Sequence, residues 1–204
     1  MSKIIPISLA VEDELSEAVL KVILNQSKRL YSIGTCYKKH GFGYLKSKIK
    51  SFNAAAKFVP FAVLTDLDRT ECPPLLVKEW LDFPKHGNLI FRIAVRQVES
   101  WLMAHRKKFA EFMGVNENLI PSKPDELENS KRKVIELASK SRIKEIREAI
   151  VPKRGSSANI GPDYNGKLIY FVYSKWNPAD ASKNSQSLKK AMDCINGFQP
   201  TFAY

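Results

Sequence analysis

The stretch Phe61-Ala-Val-Leu-Thr-Asp66-Leu-Asp68-Arg69-Thr70 leads an apolar segment directly into two carboxylates that stand one residue apart. A short, continuously apolar run predicts a strand that is buried on both faces of a sheet. Open α/β folds bind their ligands beyond the carboxyl ends of such strands, and acids clustered there usually hold a divalent metal. Asp is also common in turns, where it only closes a strand, so a second acidic strand end is needed to decide.

A second acidic strand end lies early in the chain, where the apolar run 4–11 is followed by Glu12-Asp13-Glu14. Further strands are predicted at 30–37 and 88–95, and helical spacing fills the segments between the strands. This alternation predicts an α/β fold with a largely parallel, four-stranded sheet flanked by helices. Because parallel strands run in the same direction, Glu12 would meet Asp66 and Asp68 at one sheet edge if their strands are neighbours.

The pattern changes after Gly114, where polar turns and short helical segments replace the alternation. We therefore predict a catalytic α/β domain at residues 1–115 and a mainly helical C-terminal extension at 116–204 that packs on it. Before this change, residues 96–113 predict one long helix. After it, the segment 168–173 fits either an additional strand or a helix turn.

The composition favours a polyanionic partner. The 204 residues include 33 Lys and Arg against 21 Asp and Glu, a formal net charge of +12, which favours binding to nucleic acid. Basic runs such as 131–133 are spread along the chain, so most of them are expected on solvated helix faces. Three cysteines without zinc spacing indicate neither a disulfide framework nor a zinc site, and no segment is apolar enough to cross a membrane. We therefore expect a cytoplasmic protein without a membrane partner.

A cluster of acids at one sheet edge predicts a metal site, because a hard cation such as Mg²⁺ or Mn²⁺ relieves the repulsion between like charges. Glu99, one turn into the helix after the fourth predicted strand, is a further candidate, although an acid there also suits the helix dipole. Arg69 follows the metal acids and could contact a scissile phosphate or pair with an acid. Lys153 and Arg154 lie in a loop with glycines and serines, and they could clamp phosphates or simply be solvated.

The order of these motifs resembles a known fold family. Glu12 after a first strand, and Asp66-Leu-Asp68 after a later one, look like the TOPRIM domain of topoisomerases, primases and the OLD (overcoming lysogenization defect) nucleases. An uncharacterised TOPRIM-like family of bacterial proteins is similar over nearly the whole chain, in Val11-Glu-Asp-Glu-Leu-Ser-Glu-Ala-Val-Leu20, Asp66-Leu-Asp68, Val95-Arg-Gln-Val-Glu-Ser-Trp-Leu102, Gly161-Pro-Asp-Tyr164, Trp176-Asn-Pro-Ala179 and Ser185-Gln-Ser-Leu188. That family is often encoded beside an ABC/SMC-type ATPase, in settings that suggest phage defence.

The resemblance implies a metal-dependent nuclease, with DNA expected ahead of RNA as the substrate and an ABC/SMC-type ATPase as a partner. In such a site Glu12 would act as metal ligand or general base, and Asp66 and Asp68 would hold Mg²⁺ or Mn²⁺. Glu99 is a fourth catalytic candidate. The sequence departs from the family at Asp13, where many TOPRIM domains have Gly, and this extra carboxylate could serve a second metal.

Three other functions stay open on the sequence. Residues 66–70 match the Asp-x-Asp-x-Thr nucleophile motif of haloacid-dehalogenase-type phosphatases, in which Asp66 would attack phosphorus and Asp68 would handle protons. That family also needs a later acidic pair, and the downstream Asp residues of this chain are isolated. Asp-x-Asp is found in nucleotide-sugar transferases as well. From a different class, the chain could be a non-catalytic module that binds nucleic acid or an ATPase, with acids that only close strand ends.

Overall fold

The computed structural model describes residues 4–38 and 42–201. Strands and helices alternate in the first half: β1 (Ile5–Val11), α1 (Glu14–Asn25), β2 (Tyr31–Lys38), α2 (Phe42–Ala55), β3 (Phe61–Asp66), α3 (Pro73–Trp80) and β4 (Leu89–Ala94). Helices then follow one another: α4 (Val98–Met103), α5 (Arg106–Met113), α6 (Ser130–Ser139), α7 (Lys144–Ile150), α8 (Tyr164–Ser174), α9 (Pro178–Ala181) and α10 (Gln186–Asn196). Short 3₁₀ helices at Glu117–Leu119 and Pro124–Glu126 connect α5 to α6.

The four strands form one parallel sheet in the order β2-β1-β3-β4. β1 and β3 are direct neighbours, with Val11 opposite Leu64, and Asp66 at the end of β3 lies opposite Ala94 of β4. The predicted α/β fold with a parallel four-stranded sheet is therefore confirmed. The neighbouring position of β1 and β3 also meets the condition under which Glu12 and the Asp66-Leu-Asp68 segment come together.

Both faces of the sheet are covered by helices, as the continuously apolar strands predict. Alternate residues of β4 point to opposite faces: Ile90 and Ala94 belong to the core on the α1 side, while Leu89, Phe91 and Ile93 belong to the core on the α2 and α3 side. β1, β3 and β4 each contribute buried residues to both cores, which fixes the sheet between two helical layers.

The helical C-terminal part packs on the α1 side of the sheet. α8 lies against α1, and α10 lies against β4. Its buried side chains join the core that α1 and the sheet form, among them Tyr164, Phe171 and Ile195. The division at residue 115 stays a prediction, but the two parts share a continuous hydrophobic core. None of the helices in the described part of the chain is both long and apolar enough to cross a lipid bilayer.

The prediction of one helix at 96–113 is wrong, because the chain leaves helical geometry between Met103 and Arg106. His105 has φ −84° and ψ 58°, and its ring Nδ1 accepts a hydrogen bond from the backbone N–H of Asn177 at 3.1 Å. The carbonyl of Ala104 accepts a bond from the Asn184 side-chain amide at 2.9 Å. The polar groups at the break are therefore satisfied by the C-terminal part, a contact that local sequence does not reveal. The segment 168–173 lies inside α8, so its helical alternative is the correct one.

Candidate functional site

The end of β1 and the end of β3 bring Glu12 and the Asp66-Leu-Asp68 segment together. Glu12 is half-buried, and its Oε1 accepts hydrogen bonds from the hydroxyl of Thr65 at 2.5 Å and from the backbone N–H of Asp66 at 3.0 Å. The carboxylate of the early glutamate is thereby held over the end of β3. The predicted meeting of these acids at one sheet edge is observed.

Asp66 is the last residue of β3 and is only 4% exposed. Its Oδ1 accepts a hydrogen bond from the backbone N–H of Val98, the first residue of α4, at 3.0 Å. N–H groups in the first turn of a helix have no partner within the helix, so a carboxylate there satisfies one of them and is favoured by the helix dipole. Asp66 therefore connects β3 to α4, and Glu99 on α4 comes close to the strand ends as a result.

Asp68 adopts an unusual backbone conformation, with φ of +47°. Residues with a side chain rarely occupy this left-handed region, although Asp tolerates it better than most, and such residues are often found at functional sites. The conformation is held by a hydrogen bond from the Asp68 N–H to the carbonyl of Arg96 at 2.9 Å. The side-chain amide of Gln97 donates to Asp68 Oδ1 at 3.0 Å, while Gln97 Oε1 accepts from the backbone N–H of Lys131 at 3.1 Å. Gln97 thus links the acidic turn to α6.

Glu99 is the most buried acid of the site, with no measurable exposure. The hydroxyl of Tyr164 on α8 donates to Glu99 Oε1 at 3.1 Å, whereas Oε2 is buried without a hydrogen-bond partner among the described residues. Burial raises the pKa of Glu99 from its ordinary value to about 7. A carboxyl group with such a pKa can hold or release a proton near neutral pH, which suits acid–base chemistry.

Burial is also the main cause that raises the pKa of Glu12 and of Asp66. For Asp66, the charges of Glu99 and Glu12 add to that effect, and for Glu12 the charges of Asp68 and Asp13 do so. These influences show that the acids predicted from two strand ends and one helix lie within electrostatic range of one another. Their mutual repulsion has to be offset by positive charge.

The charge of Lys131 acts on several of these acids. The sequence carries no signal for this role, because Lys131 lies in a Lys-Arg-Lys run typical of solvated helix faces. In the structure it is half-buried at the start of α6. Burial acts to lower the pKa of Lys131, but the surrounding carboxylates, with Glu99 foremost, outweigh burial and raise the pKa overall. In the described part of the chain, no cation lies within 4.0 Å of the carboxylate oxygens of these acids. Their charge is therefore compensated only at a distance.

Asp13, predicted as a metal ligand, caps α1: its side chain accepts a hydrogen bond from the backbone N–H of Ser16 at 2.8 Å. This is an ordinary helix N-cap, a use for which Asp is among the preferred residues. Its charge still acts on the other acids, since it contributes to the raised pKa values of Glu12 and Glu99. Asp13 therefore caps α1 and also adds negative charge to the site.

The acids form no ready-made coordination sphere. Within residues 4–38 and 42–201, no three or more His, Cys, Asp and Glu side chains are grouped so that they could hold a metal ion as they stand. Glu12, Asp66 and Glu99 each accept a hydrogen bond from a protein donor through one carboxylate oxygen. The donor chemistry nevertheless fits a hard divalent cation, because the oxygens are carboxylate oxygens and Glu99 Oε2 is buried without a partner among the described residues.

The basic residues predicted to bind substrate lie in two different places. Arg69 is exposed and lines, together with Asp68 and Gln97, a surface cleft of about 640 Å³ beside the acidic turn. Lys153 and Arg154 are exposed in the loop between α7 and α8, and Lys153 lines a separate cleft of about 630 Å³. Arg69 is thus placed to meet a ligand at the acids, while a binding role for Lys153 and Arg154 stays a prediction.

Sequence reasoning missed the residues that reach the acids from elsewhere in the fold: Thr65, Gln97, Lys131 and Tyr164. A neutral side chain that bonds an acid across the fold has no local signature, and a lysine in a basic run looks solvated. The site is therefore defined by its geometry alone, because comparisons with protein-family profiles, with curated proteins and with solved structures find no match.

Proposed function

We propose that this chain is a divalent-metal-dependent nuclease that hydrolyses phosphodiester bonds, with DNA ahead of RNA as the substrate. Glu12, Asp66 and Asp68 would hold Mg²⁺ or Mn²⁺ at the carboxyl edge of the sheet, with Glu99 and Asp13 beside them. The resemblance to TOPRIM-like proteins adds the expectation that it acts with an ABC/SMC-type ATPase in phage defence.

The single observation that supports this proposal most is a deficit of positive charge at the strand ends. Glu12, Asp66 and Glu99 all have raised pKa values, and none of them makes an ion pair with a described residue. Lys131 acts on Asp66 and Glu99, and only through space. Acids that are buried together without compensation are unfavourable unless a cation or protons neutralise them. A divalent cation supplies that neutralisation.

The chain's own residues would divide the remaining work. A bound Mg²⁺ or Mn²⁺ would activate water and stabilise the leaving oxygen. Arg69, in the cleft beside Asp68, is placed to hold a phosphate near the acids. Glu99 can exchange a proton near neutral pH. The net charge of +12 would raise the local concentration of a polyanionic substrate.

One set of contacts favours a second candidate, a non-catalytic module that binds nucleic acid or an ATPase. Asp13 and Asp66 accept hydrogen bonds from backbone N–H groups at the starts of α1 and α4, and Glu12 accepts one from the end of β3. Such bonds would also be made by acids that only close strand and helix ends. The two candidates differ in one property, which is affinity for a divalent cation.

The geometry gives less support to a phosphatase that uses Asp66 as a nucleophile. A nucleophile has to reach the phosphorus atom, whereas Asp66 is 4% exposed and its Oδ1 is already bonded to the N–H of Val98. As a metal ligand it would need only one accessible oxygen.

Calorimetric titration with Mn²⁺, followed by cleavage assays on single-stranded DNA, duplex DNA and RNA, tests the proposal. Asp66→Asn preserves the shape of the side chain and an oxygen for the N–H of Val98, and we expect it to lose both Mn²⁺ binding and cleavage. Asp82→Asn is the matched control, because Asp82 is exposed and pairs with Lys50 far from the site; it should behave as the wild type. A folded wild-type chain that binds no Mn²⁺ would leave the non-catalytic module as the better description.

A further inference from the structure

A second surface feature, independent of the acids, lies along the outer edge of β4. β4 is the last strand of the sheet order, so one of its sides has no neighbouring strand among the described residues. Beside it runs a groove of about 700 Å³ between α3 and α10. Its lining includes Val77 and Lys78 of α3, Phe91, Arg92 and Ile93 of β4, and Lys190 of α10.

The backbone groups of β4 that face this groove can be assigned from its pairing with β3. The carbonyl of Asn88 accepts a hydrogen bond from the backbone N–H of Phe61, and the carbonyl of Ala94 accepts one from the backbone N–H of Leu67. The backbone groups of the even-numbered residues of β4 therefore face β3. The odd-numbered residues then present their N–H and C=O groups outward. At the ends of the strand these groups are occupied, because Lys85 donates to the carbonyl of Leu89 at 2.8 Å and the N–H of Val95 donates to Ser187 at 3.4 Å.

Between those ends, the outward N–H and C=O groups of Phe91 and Ile93 have no described partner. Two free donor and acceptor pairs, two residues apart, form the pattern that an added peptide strand pairs with. The groove walls are mostly apolar, and Val77 on α3 is 37% exposed. An extended peptide could place alternate apolar side chains against them.

The charges around the groove determine which peptide fits. Lys78, Arg92 and Lys190 line it, and none of the three makes an ion pair with a described acid. Arg92 Nε is moreover buried without a hydrogen-bond partner among the described residues. The acid in the lining, Asp125, is already bonded to the Ser185 hydroxyl at 2.8 Å and to the N–H of Ser187 at 2.9 Å. The groove therefore has unused positive charge.

We propose that this groove binds an acidic, extended segment of a partner protein, which adds to the sheet as a fifth strand beside β4. Its backbone would pair with Phe91 and Ile93, and its Asp or Glu side chains would face Lys78, Arg92 and Lys190. Free backbone pairs and apolar walls favour a peptide over a nucleic acid, because a peptide backbone repeats its donors and acceptors at the spacing of the strand.

The test uses a fluorescent, end-capped peptide of alternating Val and Glu, six residues long, and the full chain. We expect binding of this peptide and little binding of a Val/Lys peptide or of a Val/Glu peptide that is N-methylated at alternate residues. Lys190→Glu combined with Lys78→Glu should weaken binding about tenfold or more at low salt. Lys189→Glu is the matched control, because Lys189 is exposed on the same helix but does not line the groove.

Hydrogen exchange adds a readout that mere charge attraction would not change. Binding should protect the backbone amides of Phe91 and Ile93 and leave those of Ile90 and Arg92, which already face β3, unchanged. Equal binding of the Val/Lys and Val/Glu peptides would overturn the proposal. So would displacement of the acidic peptide by oligothymidylate without protection of Phe91 and Ile93, since the groove would then be a site for nucleic acid.

Discussion

Glu99 contributes to the pH dependence of the stability of the fold, and Glu99→Gln should remove that contribution. The substitution preserves the shape of the side chain and leaves an oxygen to accept the hydrogen bond of the Tyr164 hydroxyl. It removes a negative charge that is fully buried and has no ion-pair partner among the described residues. The variant therefore tests the electrostatics of the site without any assumption about catalysis.

The size of the effect follows from the pKa of Glu99. Burial raises this pKa from the ordinary 4.5 to about 7, so between these values the folded chain keeps a proton that the unfolded chain has lost. The protonated acid therefore stabilises the fold below pH 4.5, and this contribution is lost as the pH rises through 7. At about 1.4 kcal/mol per pH unit the whole loss is about 3 kcal/mol, and most of it falls between about pH 5 and pH 8.

Urea unfolding of both proteins at pH 5 and pH 8, in EDTA, measures this contribution. The amide nitrogen that Glu99→Gln introduces would stand where Oε2 has no described partner, but the cost is similar at both pH values and cancels in the comparison. The difference in the free energy of unfolding, variant minus wild type, should be about 2 to 3 kcal/mol larger at pH 8 than at pH 5. For a chain of this size, that difference corresponds to about 5 to 10 °C in Tm.

Glu148→Gln is the control for this experiment, because Glu148 is exposed on α7, away from the acids. Its effect on the free energy of unfolding should be the same at both pH values. The reasoning is refuted if Glu99→Gln also changes stability equally at pH 5 and pH 8, since Glu99 would then ionise in the folded chain as it does in the unfolded one.

Substitutions at two further positions test the geometry around the site. Asp68→Gly and Asp68→Ala both remove the carboxylate that Gln97 contacts, but only the Ala variant keeps a Cβ at φ +47°. We therefore expect the Ala variant to be less stable than the Gly variant by about 1 kcal/mol in urea unfolding. Equal stability of the two variants would argue against the left-handed backbone. Asp125→Ala removes the hydrogen-bond acceptor for the Ser185 hydroxyl and the Ser187 N–H, and it should lower the free energy of unfolding by about 2 to 3 kcal/mol and speed amide exchange at Ser187. Glu126→Ala is the control, because Glu126 is the exposed neighbouring residue. Similar losses of stability in both variants would contradict the prediction.

The sheet and its acidic edge were predictable because their signals are local. An apolar run that ends in acids marks a buried strand end wherever it occurs, and the parallel direction of the strands follows from their alternation with helices. The order of the strands is not local. Glu12 meets Asp66 only because β1 pairs with β3. The sequence predicts this contact only if the two strands are neighbours, and it does not show that they are.

The partners of the acids were not predictable for the same reason. Lys131 and Tyr164 lie far along the chain from the last strand, and what places them at the site is the packing of α6 and α8 on the core. The break at His105 has a similar origin, because the contacts that stabilise it come from Asn177 and Asn184. Helical periodicity in 96–113 carries no trace of these contacts.

The distribution of these contacts determines which part of the chain can form the site. Glu12, Asp66 and Glu99 precede residue 115, but the hydroxyl that bonds Glu99 belongs to Tyr164. Lys131 is the nearby cation that acts on Asp66 and Glu99. Without the helices after residue 115, the burial that raises the pKa of Glu99 would be reduced and the through-space compensation by Lys131 would be absent. The residues predicted as a catalytic domain therefore supply the acids, while the C-terminal helices influence the protonation of Asp66 and Glu99. A metal-binding experiment on this chain is meaningful only when both parts are present.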